Sequence, residues 1–268
     1  MSKHSLYQVD AFAEQLFSGN PAAVMVLDDW LSDDLMQAIA MENNLAETAF
    51  VRCNDGNYDL RWFTPTHEVA FCGHATLATA HVLFSELNEE NEITFNTNQV
   101  GTLKVKSVSN NRYQMDFPTF GPEKFDAVPQ LLNELFPNDQ FELFRNFENF
   151  FVVLESEADV RGYQPNLEKI SQFGEIGLVI TAQADPGQPY NFVSRYFVPG
   201  AGIPEDPVTG SIHSTLVPYW STKLGKSHLQ AFQASKRGGH LDCELHNDRL
   251  FIRGSAVTFF KAELKLPT

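Results

Sequence analysis

The sequence predicts an α+β protein of two similar halves, each containing a buried helix wrapped by strands. Three observations carry this. First, the chain repeats itself: Arg61-Trp62-Phe63-Thr64-Pro65, followed by Glu68 and Gly73, is echoed by Arg195-Tyr196-Phe197-Val198-Pro199, followed by Glu205 and Gly210. Each glycine opens an apolar run, and the second copy is longer between its proline and its glutamate. Repeats this far apart mark two related halves, whereas solenoid repeats recur every ~20–50 residues. Second, residues 75–87 are apolar on almost every face, as a helix enclosed by other elements must be. Third, short apolar runs bounded by Gly, Pro and Asn recur through both halves.

Taken in order, residues 6–12 and 22–27 read as strands joined at Ser18-Gly19-Asn20-Pro21, where Gly and Pro punctuate the chain. Ser32 suits a helix N-cap, and Asp33 and Asp34 complement the helix dipole in the first turn. Leu35, Met36, Ile39 and Ala40 form the apolar stripe of that helix, which stops at Asn43-Asn44. Residues 45–51 and 59–63 read as strands around an Asn-Asp-Gly-Asn turn at 54–57. Beyond the helix at 75–87, β-like segments run to Met115-Asp116-Phe117, and the loop at 118–122 suits a boundary. This divides the chain into halves 1–118 and 119–268, with the last strand able to return to the first half.

In the second half the pattern predicts helices at 128–136 and 165–173 and strands at 150–154, 178–181 and 192–198. A helix from 211 to about 224 is weakened by Pro218, which removes one helical hydrogen bond. Four short β-like segments close the chain, with a hairpin turn at Gly238-Gly239.

The net charge of −15 counts against nucleic-acid or anionic-membrane binding, which demands clustered Lys and Arg. With 43% apolar residues and 23 Phe the chain can build a substantial aromatic core. Three Cys, widely scattered, suit neither a disulfide framework nor a zinc site. No signal-peptide core and no long apolar span is evident. The expectation is a soluble, cytoplasmic protein with reduced thiols.

Three segments could carry chemistry. Glu47 lies in the otherwise apolar run 45–51, where desolvation would raise its pKa and suit it to shuttling protons; the alternative is a solvent-facing Glu on an alternating strand. Cys72-Gly73-His74 reads as a helix start whose unpaired N–H groups attract anions and whose field would depress the thiol pKa; the alternative is a buried structural Cys beside a capping His. The second start is Asp206-Pro207-Val208-Thr209-Gly210-Ser211. Aligned on the glycines, Thr209 faces Cys72 and Ser211 faces His74. Asp206, stiffened by Pro207, can orient an amine or accept a proton, or the Asp-Pro pair can be merely a turn. Two such starts, aimed at a cleft between the halves, would suit an anionic small molecule. His67, His81, His213, His240 and His246 lack ligand spacing, and no dinucleotide or phosphate loop occurs. Side chains alone are therefore expected to act, without metal or cofactor.

In the segments Val9-Asp10-Ala11-Phe12, Gly19-Asn20-Pro21-Ala22-Ala23-Val24, Asn44-Leu45-Ala46-Glu47-Thr48-Ala49-Phe50, Arg61-Trp62-Phe63-Thr64-Pro65, Cys72-Gly73-His74-Ala75-Thr76 and Asp206-Pro207-Val208-Thr209-Gly210-Ser211, the chain resembles the PhzF (phenazine-biosynthesis F-like) family. That family lies within the diaminopimelate-epimerase and proline-racemase superfamily, and the match keeps its order over residues 9 to 211. The resemblance implies two pseudo-symmetric halves, each a curled β-sheet or barrel around a central helix, with the active site between them. It also implies a cofactor-free isomerase, usually homodimeric, with Glu47 as acid/base and His74, Asp206 and Ser211 in support. The wider superfamily's racemases use two thiols; here Cys72 remains, but Thr209 and Asp206 stand where the second is expected, so a two-thiol inversion does not fit.

The expected activity is therefore proton transfer on a small carboxylic acid. Glu47, His74 and Asp206 are the expected catalytic residues, and Cys72, Gly73, Gly210 and Ser211 the substrate-binding ones. Rival readings are an amino- or hydroxy-acid epimerase using Cys72 with Glu47 from opposite faces, and a silent ligand-binding or scaffold protein. Loops around Phe120, Phe147 and Tyr190 are the expected source of specificity.

Overall fold

A computed structural model describes residues 2–90, 92–109, 111–124, 128–137 and 141–266. The chain forms two compact units, one comprising residues up to Asp116 together with those from Ile252 onward, the other Phe117–Phe251. Elements β1 (Ser2–Ala11), β2 (Asn20–Leu27), α1 (Asp33–Asn43), β3 (Glu47–Asn54), β4 (Asn57–Phe63), β5 (Glu68–Val69), α2 (Gly73–Glu86), β6 (Ile93–Asn96), β7 (Thr102–Ser109) and β8 (Arg112–Pro118) lead through the first unit. The second holds β9 (Glu123–Lys124), α3 (Gln130–Leu135), β10 (Glu142–Arg145), β11 (Asn149–Val153), α4 (Glu157–Gly162), α5 (Leu167–Ile170), β12 (Gly177–Gln183), β13 (Phe192–Val198), β14 (Ile203–Asp206), α6 (His213–Leu224), β15 (His228–Gln233) and β16 (Gly239–His246). The last strand, β17 (Arg249–Leu266), begins in the second unit and ends in the first.

In unit 1 the strands close a ring in the order β17-β1-β2-β3-β4-β6-β7-β8 and back to β17. Among the described residues, closure leaves these eight strands without the long open edge that invites aggregation. Helix α2 packs against β1, β2, β3 and β7, and every residue from Gly73 to Leu83 is buried. A helix so enclosed must hide its polar groups. Thr76 and Thr79 do so by donating to the carbonyls of Cys72 and Ala75 at 2.6 and 2.7 Å. His81 does so between the Tyr113 and Thr258 hydroxyls at 3.0 and 2.9 Å. Outside the ring, Met36, Ile39 and Ala40 of α1 join a cluster with Met25, Phe50 and Phe63. β2 and β3 are therefore covered on both faces and read as near-continuous apolar runs.

Unit 2 repeats the connectivity. In unit 1, β2 pairs parallel with β3, β3 antiparallel with β4, β4 antiparallel with β5 and parallel with β6, and β6 antiparallel with β7. In unit 2, β11, β12, β13, β14, β15 and β16 follow the same scheme. Helix α6 takes the place of α2; its Trp220 stacks on Phe192 at 5.7 Å and donates to Thr181 Oγ1 at 3.0 Å. The structural reason for the repeated Arg…Glu is now visible. Arg61 grips Glu68 through two bonds of 2.8 and 2.7 Å, and Arg195 grips Glu205 through two of 2.7 and 3.1 Å. Each pair fastens the short strand, β5 or β14, that leads to the unit's central helix. Such two-point arginine–carboxylate pairs are geometrically specific as well as strong.

Ser32 caps α1, its hydroxyl accepting from the Leu35 N–H. Pro218 lies inside α6. The Ser214 carbonyl that the proline cannot engage accepts the Phe120 N–H at 2.9 Å instead, so the missing bond leaves no orphan. Three expectations are corrected. Helix α6 starts at His213, not 211, because Gly210–Ile212 form a turn closed by His213 N–H on the Gly210 carbonyl. The chain closes with three strands, not four short segments, the last being 18 residues long. The span 155–164, where the pattern predicts no element, contains α4, begun by a capping box between Ser156 and Asp159. That box has Asp in place of the usual Glu or Gln, a weaker sequence signature.

Candidate active site

The strand pleat decides where Glu47 points. Phe50 faces the cluster under α1, and alternation sends Glu47, Ala49 and Val51 to the opposite face, towards α2. Glu47 heads β3 beside Ala22 of β2 and is 8% exposed. The bland reading, a Glu in open solvent, is excluded. Its Oε2 lies 3.1 Å from His74 Nε2 in the first turn of α2, although neither atom completes a well-aligned hydrogen bond. Catalytic hydrogen bonds are often loose before substrate arrives. On the other side of the ring, His74 Nδ1 meets Asn20 Nδ2 at 3.1 Å and Cys72 Sγ at 3.4 Å.

Glu47, Cys72 and His74 bring a carboxylate, a thiol and an imidazole within 4.8 Å of one another. The sulfur and the carboxylate approach opposite ring nitrogens, the arrangement of a hydrogen-bonded row rather than of three donors converging on one ion. Burial pushes the Cys72 thiol up to about 11, the Glu47 charge adds to this, and His74 only partly opposes it. The depressed thiol pKa expected from the helix start is therefore wrong: desolvation outweighs the helix field. Burial, the largest single effect, disfavours the His74 imidazolium; charge on the Cys72 sulfur, and after it the Glu47 carboxylate, together push the ring's pKa well above the ordinary imidazole range. With the thiol neutral at physiological pH, the Glu47 carboxylate is the part of that effect that persists.

Unit 2 holds the other predicted residues. Asp206 is buried at the end of β14 and accepts from the Thr209 hydroxyl. Gln233, fully buried, ties this loop down: its Oε1 accepts from Thr209 N–H at 2.8 Å and its Nε2 donates to the Asp206 carbonyl at 2.8 Å. His213 donates from Nδ1 to the Thr209 carbonyl at 2.8 Å, and burial lowers its pKa to about 4. Gly210 and Ser211 sit in the turn before α6 rather than in its first turn. Thus the structure brings Glu47, Cys72, Gly73 and His74 together in one unit, and Asp206, Gly210 and Ser211 within eight residues of α6's first turns in the other.

The repeat exposes an asymmetry. Phe50 pairs with Arg61, and Ile180 pairs with Arg195, so counting back along β3 and β12 makes Gly177 the counterpart of Glu47. A Cβ on Gly177 would collide with the Tyr196 ring and the side-chain Oδ1 of Asn149. The place of a second carboxylate is thus filled by a tyrosine. Its phenol pKa is raised by burial and by the charges of Asp206 and Glu148. Sequence reasoning missed Asn20, Gln233 and Tyr196. Asn20 lies in the Gly19-Asn20-Pro21 segment and Tyr196 in the repeated Arg…Pro segment, whereas nothing near Gln233 in sequence signals its role. In the loop around Tyr190 the tyrosine itself is turned inward, its hydroxyl bound to Glu157 and Arg161 at 2.7 Å each in the buried part of unit 2. Phe147 is largely exposed and packs edge-on against Phe120 at 5.0 Å.

An open cavity of about 230 Å³ lies at the other end of β3 from Glu47, lined by Trp30, Arg52, Asp59, Arg61, Asn96 and Asn98 among others. Its arginines are already paired with Asp59, Glu68 and Asp33. Among the described residues no helix is long and apolar enough to cross a membrane.

A strand ring around a buried helix, with its connectivity repeated in a second unit, defines the epimerase-like α+β class. Solved structures agree. A PhzF-family protein of Enterococcus faecalis superposes with a TM-score of 0.92 at 42% identity, covering 99% of this chain and 100% of that one. A hydroxyproline epimerase from Agrobacterium vitis shares the fold at a TM-score of 0.58 and 10% identity, covering 98% of this chain and 92% of that one. The chain belongs to the phenazine biosynthesis-like (PhzC-PhzF) family, whose sequence profile matches residues 9–262. An uncharacterized isomerase of Pseudomonas aeruginosa is 42% identical, covering 98% of this chain and 99% of its own. The human phenazine biosynthesis-like domain-containing protein is 37% identical, again covering 98% and 99%. The chain is an enzyme of the isomerase and epimerase type.

Proposed function

We propose that the protein is a cofactor-independent isomerase in which Glu47 alone moves a proton on a small carboxylic acid. One observation carries this reading: unit 1 sets a nearly buried carboxylate against an imidazole at the start of a buried helix, while its topological counterpart in unit 2 is Gly177. Glu47 lifts a proton from the activated carbon. The electron pair left behind spreads into the adjoining carbonyl or diene, and the proton returns to a carbon of the same system. The free N–H groups at Gly73 and His74 face developing negative charge, and the loss of one such donor typically costs ~3–4 kcal/mol of barrier. His74 supports the Glu47 carboxylate. A thiol pushed to about 11 makes a poor second base, which weighs against the epimerase reading.

Deuterium wash-in from heavy water, screened over small carboxylic, amino and hydroxy acids, tests the proposal. Wild type is expected to label at least one acid, and Glu47→Gln to slow that exchange by at least 100-fold, the usual scale of a general-base contribution. Unchanged exchange in the variant would remove Glu47 from the mechanism.

A further inference from the structure

The segment Gly19-Asn20-Pro21, read from sequence as a turn, places a fully buried amide on the imidazole of His74. We propose that Asn20 is a positioning residue that holds His74 as the neutral tautomer protonated on Nε2. The ring then carries its one hydrogen on the nitrogen that stands 3.1 Å from Oε2 of Glu47 and leaves Oε1 to exchange a proton with the substrate. The inference rests on the reading of Glu47 as the base.

The argument starts from donor and acceptor chemistry. An amide nitrogen only donates, so the 3.1 Å approach of Asn20 Nδ2 requires a lone pair on Nδ1. A neutral ring with Nδ1 bare carries its hydrogen on Nε2, and that nitrogen stands 3.1 Å from the Glu47 carboxylate. The neutral Cys72 thiol, 3.4 Å from Nδ1, can donate to the same lone pair and favours the same tautomer. An imidazolium would set an N–H on Nδ1 against the amide hydrogens, and hydrogen bonding to the neutral form disfavours the charged one. Asn20 on β2, Glu47 on β3 and Cys72 at the α2 cap are the groups the described residues place on this ring. Glu47 draws the ring towards the cation, and Asn20 opposes it.

The backbone keeps the amide where it is. Gly19 has φ +67°, and a Cβ there would collide with the Ala11 carbonyl. Pro21 restricts the residue before it to extended conformations. Asn20 is therefore locked from both sides and paired in register with Ala11. A tight turn alone would not call for a buried asparagine in contact with a residue 54 positions away.

Nitrogen-15 NMR of histidine-labelled protein at pH 7.5 tests the assignment, with the His74 signals identified by their loss in His74→Gln. Wild type is expected to show a proton on Nε2 and a lone pair on Nδ1. In Asn20→Asp the new carboxylate accepts from Nδ1, and the lone-pair signal should disappear as both nitrogens become protonated. A wild-type ring protonated on Nδ1, alone or together with Nε2, overturns the proposal. So does a folded Asn20→Asp protein whose His74 signals match wild type. The tautomer is read on the wild-type protein, and the measurement involves no turnover. Loss of the Glu47 reading in the deuterium assay would therefore leave the tautomer result standing, and the two failures are distinct.

Discussion

Alkylation of Cys72 separates the one-base reading from a thiol-based one. The thiolate is the reactive form, and a thiol at about 11 instead of the ordinary value near 9 holds about 100-fold less thiolate at pH 7.5. Burial adds a steric barrier, since Cys72 is only 6% exposed. Iodoacetamide labelling resolved by peptide mass spectrometry measures both effects, because the chain supplies its own references: Cys53 is exposed and Cys243 fully buried. Cys53 is expected to label at an ordinary rate and Cys72 at least 100-fold more slowly. Access alone would slow labelling without changing its pH dependence. The Cys72 rate should instead keep rising tenfold per pH unit to about 11. A rate that levels off at or below pH 9, or that keeps pace with Cys53, would show a thiolate in place at neutral pH. The desolvation argument would then be wrong, and Cys72 would return as a candidate base.

The twin ion pairs should not be equal in worth. Arg195 also donates to the Val160 and Tyr163 carbonyls at 3.2 and 2.7 Å, whereas Arg61 adds only the exposed Asp33. Urea unfolding should therefore show Arg195→Leu costing about 3–5 kcal/mol, as when a buried pair loses one partner, and Arg61→Leu about 1–3 kcal/mol; equal losses would contradict the assignment of main-chain roles. Buried His81 and His213, both lowered to about 4, titrate near 6.5 once unfolded. Between those values the unfolded chain binds more protons, so stability falls as pH drops from about 6.5 to about 4, by on the order of 3 kcal/mol for each histidine. Thermal melts across that range should show the loss, and His213→Gln should flatten it; a melting point independent of pH there would exclude neutral burial.

Much of the architecture can be read locally. The echo of Arg61 to Gly73 in Arg195 to Gly210 exposes the duplication, because equal backbone tasks call for equal residues. The Ser32 cap, the all-apolar course of α2 and the hairpin at Gly238 follow from neighbours within a few positions, where periodicity and capping act. The 18-residue β17 escaped that reading because its burial alternates and then gives way to exposed residues, so no single periodicity spans it.

The site is a different matter. The apolar segment around Glu47 allows either a desolvated or a solvent-facing carboxylate; that it is buried and faces His74 depends on the pleat of β3 and the cover given by α1. Asn20, His74 and Glu47 meet because β2, β3 and α2 gather in one ring, and the same enclosure turns the expected low thiol pKa of Cys72 into a high one. Gly177 is recognisable as the counterpart of Glu47 only once strand registers are known. Sequence by itself determined the duplication and the residues available for chemistry, since those rest on composition and local order. Tertiary structure decided which groups touch and which charges water can no longer stabilise, since desolvation and pairing are set through space by residues distant along the chain.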